Sequence, residues 1–338
     1  MIHVKTDEMY GKNEVMNSND LRKHLVNIDS RFRKTQLDSS TNFLYSFAHP
    51  YKNVIKARVA SVEIPIGFYN FSTTKKNTMF RLTATNYANV AQDYLISIPD
   101  GDYTPTLLIQ TIQTQFNALR DMYGLFFTIT LDPISRKVTI TNNGSAAPPT
   151  PAVPTVLATP YVLTFAMAGM EIRSSDFGLG YNLGFTKQVY AVEAPFSVTG
   201  ESLINTDGDY YFLLAIDDFY TVEHKTSTDY IQCLAKILIK RNGPGIIFDD
   251  GYTVLSNDIV FPRPTDLKQV RVRLMDTYGQ PVDLNQLNFS ISLEITEVMN
   301  IQLYDNYRTY LWGQPEPRAV RNISGSSAPI APPALNYN

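Results

Sequence analysis

Hydrophobic and polar positions alternate along most of this chain with the two-residue period of half-buried strands. Thr41–Phe47 places Phe43, Tyr45 and Phe47 on one face, and a turn is expected at His49-Pro50. Val54–Pro65 follows, with Lys56, Arg58 and Ser61 at its wet positions and Pro65 ending its ladder. Further strands are expected at Met79–Thr83, Tyr94–Ile98, Phe126–Leu131, Lys137–Thr141, Tyr161–Ala166, Gln188–Val192, Asp209–Ile216, Ile231–Lys240, Gln269–Leu274 and Asn288–Ile295. One segment has the other period. Over Thr104–Tyr123, Leu108, Ile112, Phe116 and Leu119 fall on one helical face; Thr104 can cap, Pro105 suits the first turn, and Gly124 can close the end. Short strands separated by turn signals, with one inserted helix at about 104–123, predict an all-β antiparallel sandwich rather than alternating βαβ units. About twelve strands favour one enlarged sandwich over two stacked ones.

Three stretches lie outside this pattern. Residues 1–25 are polar and aperiodic, and are read as an extended N-terminal arm. Residues 144–160, rich in Pro, Thr and Ala, are read as a long loop leaving the body of the sandwich at 26–298. From Met299 alternation ends, leaving an extended C-terminal tail over 299–338. That tail carries Tyr304, Tyr307, Tyr310 and Trp312, whereas disordered segments are poor in aromatics. Four large rings on a proline-bearing tail are anchors for a surface, either its own or a neighbour's.

Composition agrees with the class. The 338 residues include 21 Tyr, 18 Phe and one Trp, and the 20 Pro and 17 Gly supply turns. Twenty-nine basic residues against 32 acidic leave a net charge of -3, which gives no global field for nucleic acid or anionic membrane. No 18 consecutive apolar residues occur, so no membrane-spanning helix is expected, and Met1–Glu8 has no apolar leader run. Cys233, the single cysteine, lies in the apolar run Ile231–Ala235 and reads as a small buried hydrophobe in a reducing compartment. Four N-x-S sequons, at Asn70, Asn143, Asn288 and Asn322, leave a secretory route open.

Candidates for chemistry are few. His3, His24, His49 and His224 include no pair at metal-ligand spacing, so no metal and no cofactor is expected. His224 in Glu223-His224-Lys225 has no identifiable nucleophile and reads as a surface residue. Asp100-Gly101-Asp102, Asp207-Gly208-Asp209 and Asp249-Asp250-Gly251 resemble calcium-loop fragments but lack the closing carboxylate, and read as turns. Asp217-Asp218 could supply one of two glycosidase carboxylates, a mechanism that needs a second across a groove. Gly178–Phe185 has glycines without a lysine and reads as a tight corner between sheets. The basic cluster Arg22-Lys23-His24 with Arg31, Arg33 and Lys34 is interspersed with acids, so a protein partner fits it better than nucleic acid. No enzyme is expected, and no catalytic residue is assigned.

Val26-Asn27-Ile28-Asp29-Ser30-Arg31-Phe32-Arg33, then Phe43–Phe47, then Val54–Tyr69 with its Glu63-Ile64-Pro65-Ile66-Gly67-Phe68-Tyr69 element, resembles the opening of capsid-associated proteins of the nucleocytoplasmic large DNA viruses, the giant viruses. Later matches, in order, are Ile98–Thr104, Asn182–Phe185, Tyr211–Asp218, Leu274–Val282 and Phe289–Glu294, so the resemblance covers about residues 26–298. It implies a jelly-roll-type β-sandwich serving as a minor capsid or penton-type component of an icosahedral virion, made in the host cytoplasm. It assigns no catalytic residue and no cofactor. The partners it implies are the major capsid protein and other minor capsid proteins, with self-association and contact with an internal viral membrane as further options. Candidate interface residues are Tyr304, Tyr307, Tyr310, Trp312, Arg31 and Arg33. The 144–160 loop and the aromatic tail depart from the simplest members, leaving open a place at the vertex or beneath the major capsid layer. Two rivals remain: a carbohydrate- or receptor-binding sandwich, which would gather exposed aromatics on one face, and a glycoside hydrolase built on Asp217-Asp218.

Overall fold

The structure, a computed structural model, describes residues 20–147, 153–166, 178–217, 219–220, 222–225, 230–239, 245–249 and 258–305. Two compact units divide the chain, one of residues 23–297 and the other of 1–22 with 298–338. In the smaller unit the Met299 N–H donates to the Asp20 carbonyl (2.8 Å), and Ile301–Asp305 form a helical turn started by Asn300, whose Oδ1 accepts from the Leu303 N–H.

The larger unit holds two hydrophobic cores. The first belongs to strands far apart in the chain: β1 (Leu21–Asp29), β2 (Asn42–Pro65), β10 (Tyr211–Ile216), β13 (Ala235–Leu238), β14 (Ile246–Asp249), β15 (Ile259–Met275) and β16 (Ser290–Val298). They form one sheet in the order β1-β16-β2-β15-β10-β13, with β14 also paired to β2. Phe43, Phe212, Val270, Phe289 and Leu293 fill it, with Phe43 and Phe289 edge to face at 6.0 Å. A small hairpin, β11 (Val222–Lys225) with β12 (Tyr230–Cys233), forms a further cluster with the second face of β10, so Leu213, Ala215 and Cys233 are buried together.

The second core lies wholly between β2 and β10. A four-stranded sheet β4-β3-β7-β8 joins β3 (Met79–Thr85), β4 (Ala91–Ser97), β7 (Tyr161–Thr164) and β8 (Val189–Val192). It shares a core with a three-stranded sheet of β5 (Leu125–Leu131), β6 (Val138–Ser145) and β9 (Ser197–Thr199). Helix α1 (Pro105–Tyr123) buries Leu108, Ile112, Phe116 and Leu119 there. Its ends follow from local chemistry: Thr104 Oγ1 accepts from the Leu107 N–H, and Gly124 closes it at φ 68°.

The all-β antiparallel class and the inserted helix match the sequence reading. Several elements differ. Sixteen strands lie among the described residues rather than about twelve, and all but the β11–β12 hairpin divide between two cores. No turn interrupts the chain at His49-Pro50. β2 runs through as one strand because both residues are exposed, where the register with β15 slips. Residues 21–25, read as arm, belong to β1. Ile231–Lys240 is two strands: the chain changes partner at Leu234, whose N–H donates to the Leu214 carbonyl (2.7 Å), passing from β11 to β10. Gly178–Phe185 is a helical turn, α2 (Leu179–Leu183), rather than a plain corner. A Cβ on Gly180 would stand 2.3 Å from the Phe165 ring, so glycine lets that turn lie on the core. The described ends of the 144–160 loop return onto β6, where Ser145 and Val156 share two backbone hydrogen bonds.

Candidate functional site

The Asp29–Arg33 segment ends β1 and starts a latch. Asp29 Oδ1 accepts from the Arg31 N–H (2.8 Å), capping a 3-10 turn over Ser30–Phe32, and the Arg31 guanidinium returns to the same carboxylate. Burial pushes the Asp29 carboxyl up, but the Arg31 hydrogen bonds and charge outweigh it and leave it below the usual range. Ser30, fully buried, exchanges bonds with the chain just before β16. Its N–H donates to the Phe289 carbonyl (2.9 Å), its Oγ accepts from the Phe289 N–H (3.0 Å), and its hydroxyl donates to Asn288 Oδ1 (3.1 Å). Arg33 Nη1 closes the latch on the Ser30 carbonyl (2.7 Å) and Asn288 Oδ1 (3.0 Å). Arg31 and Arg33, read as interface candidates, thus hold internal bonds, while the Arg31 side chain remains 66% exposed.

Charge pairs continue across β1, β16 and β2. Glu294 takes Lys23 at 3.0 Å and Arg58 at 2.7 Å, and His24 Nε2 meets Glu297 at 2.7 Å. The hydrogen bond from Arg58, with Lys23 adding to it against burial, holds the Glu294 carboxyl below its ordinary range.

Beside the first core lies a cavity of about 460 Å³ with Phe68, Phe212 and Val282 of that core among its apolar walls and Lys75, Asp209 and Asp283 among its polar ones. Lys75 and Asp209 pair at 3.1 Å, and Asp209 also accepts from Thr277 Oγ1. The acidic loops are tied into the backbone. Asp100 accepts from the Thr73 N–H and hydroxyl, Asp102 from the Asn70 N–H, and Asp217 from the Arg271 N–H. Asp218, Asp250 and Gly251 lie outside the described residues. His224 Nε2 lies 2.9 Å from the Thr277 carbonyl, and burial pushes the Cys233 thiol up to about 11. Among the described residues no three His, Cys, Asp or Glu gather as metal ligands, and no helix is long and apolar enough to cross a membrane. The Asn70 sequon is buried, its side-chain amide donating to the Thr206 carbonyl (2.9 Å).

Of the aromatic anchors, Tyr304 is buried, and Tyr307, Tyr310 and Trp312 lie outside the described residues. Exposed aromatics are spread along the chain, at Phe32, Tyr69, Tyr87, Tyr123, Tyr181, Tyr210, Tyr220, Tyr230 and Phe248. One surface feature was missed from sequence: strand β14 shows Ile246 (66%) and Phe248 (63%) to solvent. Its signal was a three-residue apolar run between Pro244-Gly245 and Asp249-Asp250, too short to stand out.

No family model matches the chain, and no curated protein does. Among solved structures it is similar to the selenomethionine-labelled mavirus penton protein, with a TM-score of 0.40 and 10% identity, over 81% of this chain and 98% of that one.

Proposed function

We propose that this chain is a structural component of an icosahedral large DNA virus capsid, a minor capsid protein that joins neighbouring capsid proteins and performs no chemistry. The observation that carries this reading is the sequence of motifs over 26–298 that resembles capsid-associated proteins. The use of those motifs supports it: Asp29, Ser30 and Arg33 latch β1 to the start of β16, Glu63 receives the Ser290 hydroxyl, and Asp100 and Asp102 brace 70–73. Residues spent on joining strands are what a shared scaffold requires. In this proposal the tail 299–338 is a strap, with Tyr304 buried at its start and Tyr307, Tyr310 and Trp312 as anchors on a neighbour. A strap adds strength because each contact after the first forms at high effective concentration.

Quantitative mass spectrometry of gradient-purified particles tests the reading. A fixed ratio to the major capsid protein that survives high-salt washing is expected; absence from particles overturns it. Deleting 306–338, which leaves the Met299–Asp20 bond and buried Tyr304 in place, tests the strap separately. The truncated chain should keep its melting temperature and be lost from particles, whereas a large fall in melting temperature would mean that the tail covers its own body. Subunit placement by cryo-electron microscopy then distinguishes a minor capsid position from a vertex.

A further inference from the structure

Among the described residues, strand β14 pairs by one edge only, along β2. Ile246 stands opposite Pro65, Ile247 opposite Ile64 and Phe248 opposite Glu63, and the Gly245 carbonyl accepts from the Ile66 N–H. In an antiparallel ladder the N–H and C=O of successive residues point to opposite edges. Gly245 and Ile247 therefore turn theirs toward β2, and Ile246 and Phe248 turn theirs outward. These two residues also have the exposed side chains, while Ile247 is 4% exposed. Among the described residues, the outer edge of β14 thus shows backbone donors and acceptors with no partner, beside two large apolar side chains. Sheet edges of that kind accept a further strand.

We propose that the strand added there is β14 of a second copy of this chain, paired antiparallel about a two-fold axis through Ile247. Self-complementarity of the sequence argues for this occupant. Directly opposed residues share a face, so the axis must pass through a residue and not between two. Centred on Ile247, the pairing sets Ile246 against Phe248 of the second copy and Phe248 against its Ile246. Both are then hydrogen-bonded pairs, which use all four outward-pointing backbone groups of each copy. The four apolar side chains meet on one face, and Asp249 falls opposite Gly245 rather than another carboxylate. Centring on Phe248 instead would set Ile247 against Asp249.

The contact is small beside the ~1,600 Å² of a standard interface. Self-association is therefore weak in dilute solution and gains force where copies are held close together. The other edge of β14 is already paired with β2, and the two-fold contact uses the outer edge of both copies, so pairing closes at a dimer. The inference does not rest on the capsid reading and stands or falls by itself.

Cysteine pairing tests it on the full chain. Ile246→Cys and Phe248→Cys both alter exposed positions, and native Cys233 is buried and silent to a mild oxidant. Mixing the two variants and oxidising should give disulfide dimers at least about fivefold above either variant alone, because only the mixture brings the thiols opposite one another. Cross-linking by Phe248→Cys alone at the level of the mixture would overturn the register, and no dimer in the mixture would overturn the proposal. Sedimentation of the unaltered chain should show a mass rising with concentration, and Phe248→Lys should remove that rise; an unchanged rise would also overturn it.

Discussion

The two halves of the larger unit are built on opposite plans. The inserted half draws its core from one continuous stretch: Phe80, Phe116, Phe127 and Phe165 lie within 90 residues of one another and touch in a chain of rings, with centroid distances of 5.4 to 6.5 Å. The discontinuous half closes Phe43 on Phe289 and Ser30 on Asn288, contacts that must wait for the chain to return. Local contacts cost less loop-closure entropy, so the inserted half is the part expected to fold first and without its neighbour. The discontinuous half compensates with specific polar fastenings, because its pairings are not dictated by sequence proximity.

The largest effect that separates the halves should come from Phe116→Ala. Removing this fully buried ring costs about 3–5 kcal/mol. Amide exchange should accelerate across 79–140 while 54–64 stays protected; equal acceleration in both would mean that the two cores are one cooperative unit. Ser30→Ala should cost about 1–3 kcal/mol by leaving the Phe289 N–H buried without its acceptor. Its exchange signature is the reverse, with 23–29 and 290–295 opening and α1 unchanged, and an undisturbed β1 would refute the latch.

Glu294→Gln should cost about 1 kcal/mol at neutral pH. Because the folded carboxyl is held below its ordinary value, its stabilisation is complete above the unfolded value of about 4.3 and lost as pH falls through the folded one. Urea midpoints of the two proteins should therefore differ at pH 7 and converge below about pH 4. A gap unchanged down to pH 3 would assign the effect to shape rather than charge. The smallest signal is a probe. Cys233 should resist a thiol reagent at pH 8 and react only as the β11–β12 hairpin opens, so its labelling rate should follow urea concentration; immediate labelling in buffer would contradict its burial.

The same contrast explains what the sequence made legible. Helix α1 could be read to its caps, because Thr104, Pro105 and Gly124 act within a turn of the residues they serve. β1 could not. Lys23 and His24 broke the apolar pattern, and what makes them acceptable there are Glu294 and Glu297, some 270 residues away. At His49-Pro50 the local proline signal lost to a neighbouring strand that accommodates it with a register shift. The latch was legible as a string of residues, Asp29–Arg33, but its meaning depends on Asn288 and Phe289, which no local pattern connects to it. At β14 the apolar run is too short to register until its pairing with β2 shows which side it leaves open.

The two passages linking the halves run side by side: the Asn70 amide donates to the Thr206 carbonyl, and a Cβ on Gly208 would stand 2.4 Å from Asn70 Oδ1. A chain that leaves and returns at nearly one point carries its insertion like a pendant on a clasp. Tension applied between residues flanking the whole assembly is borne across that clasp, by the Asn70 and Lys75–Asp209 ties, before it reaches the inserted strands. The pendant could be exchanged for another of different shape, or replaced by a short turn, without re-routing the strands that hold it.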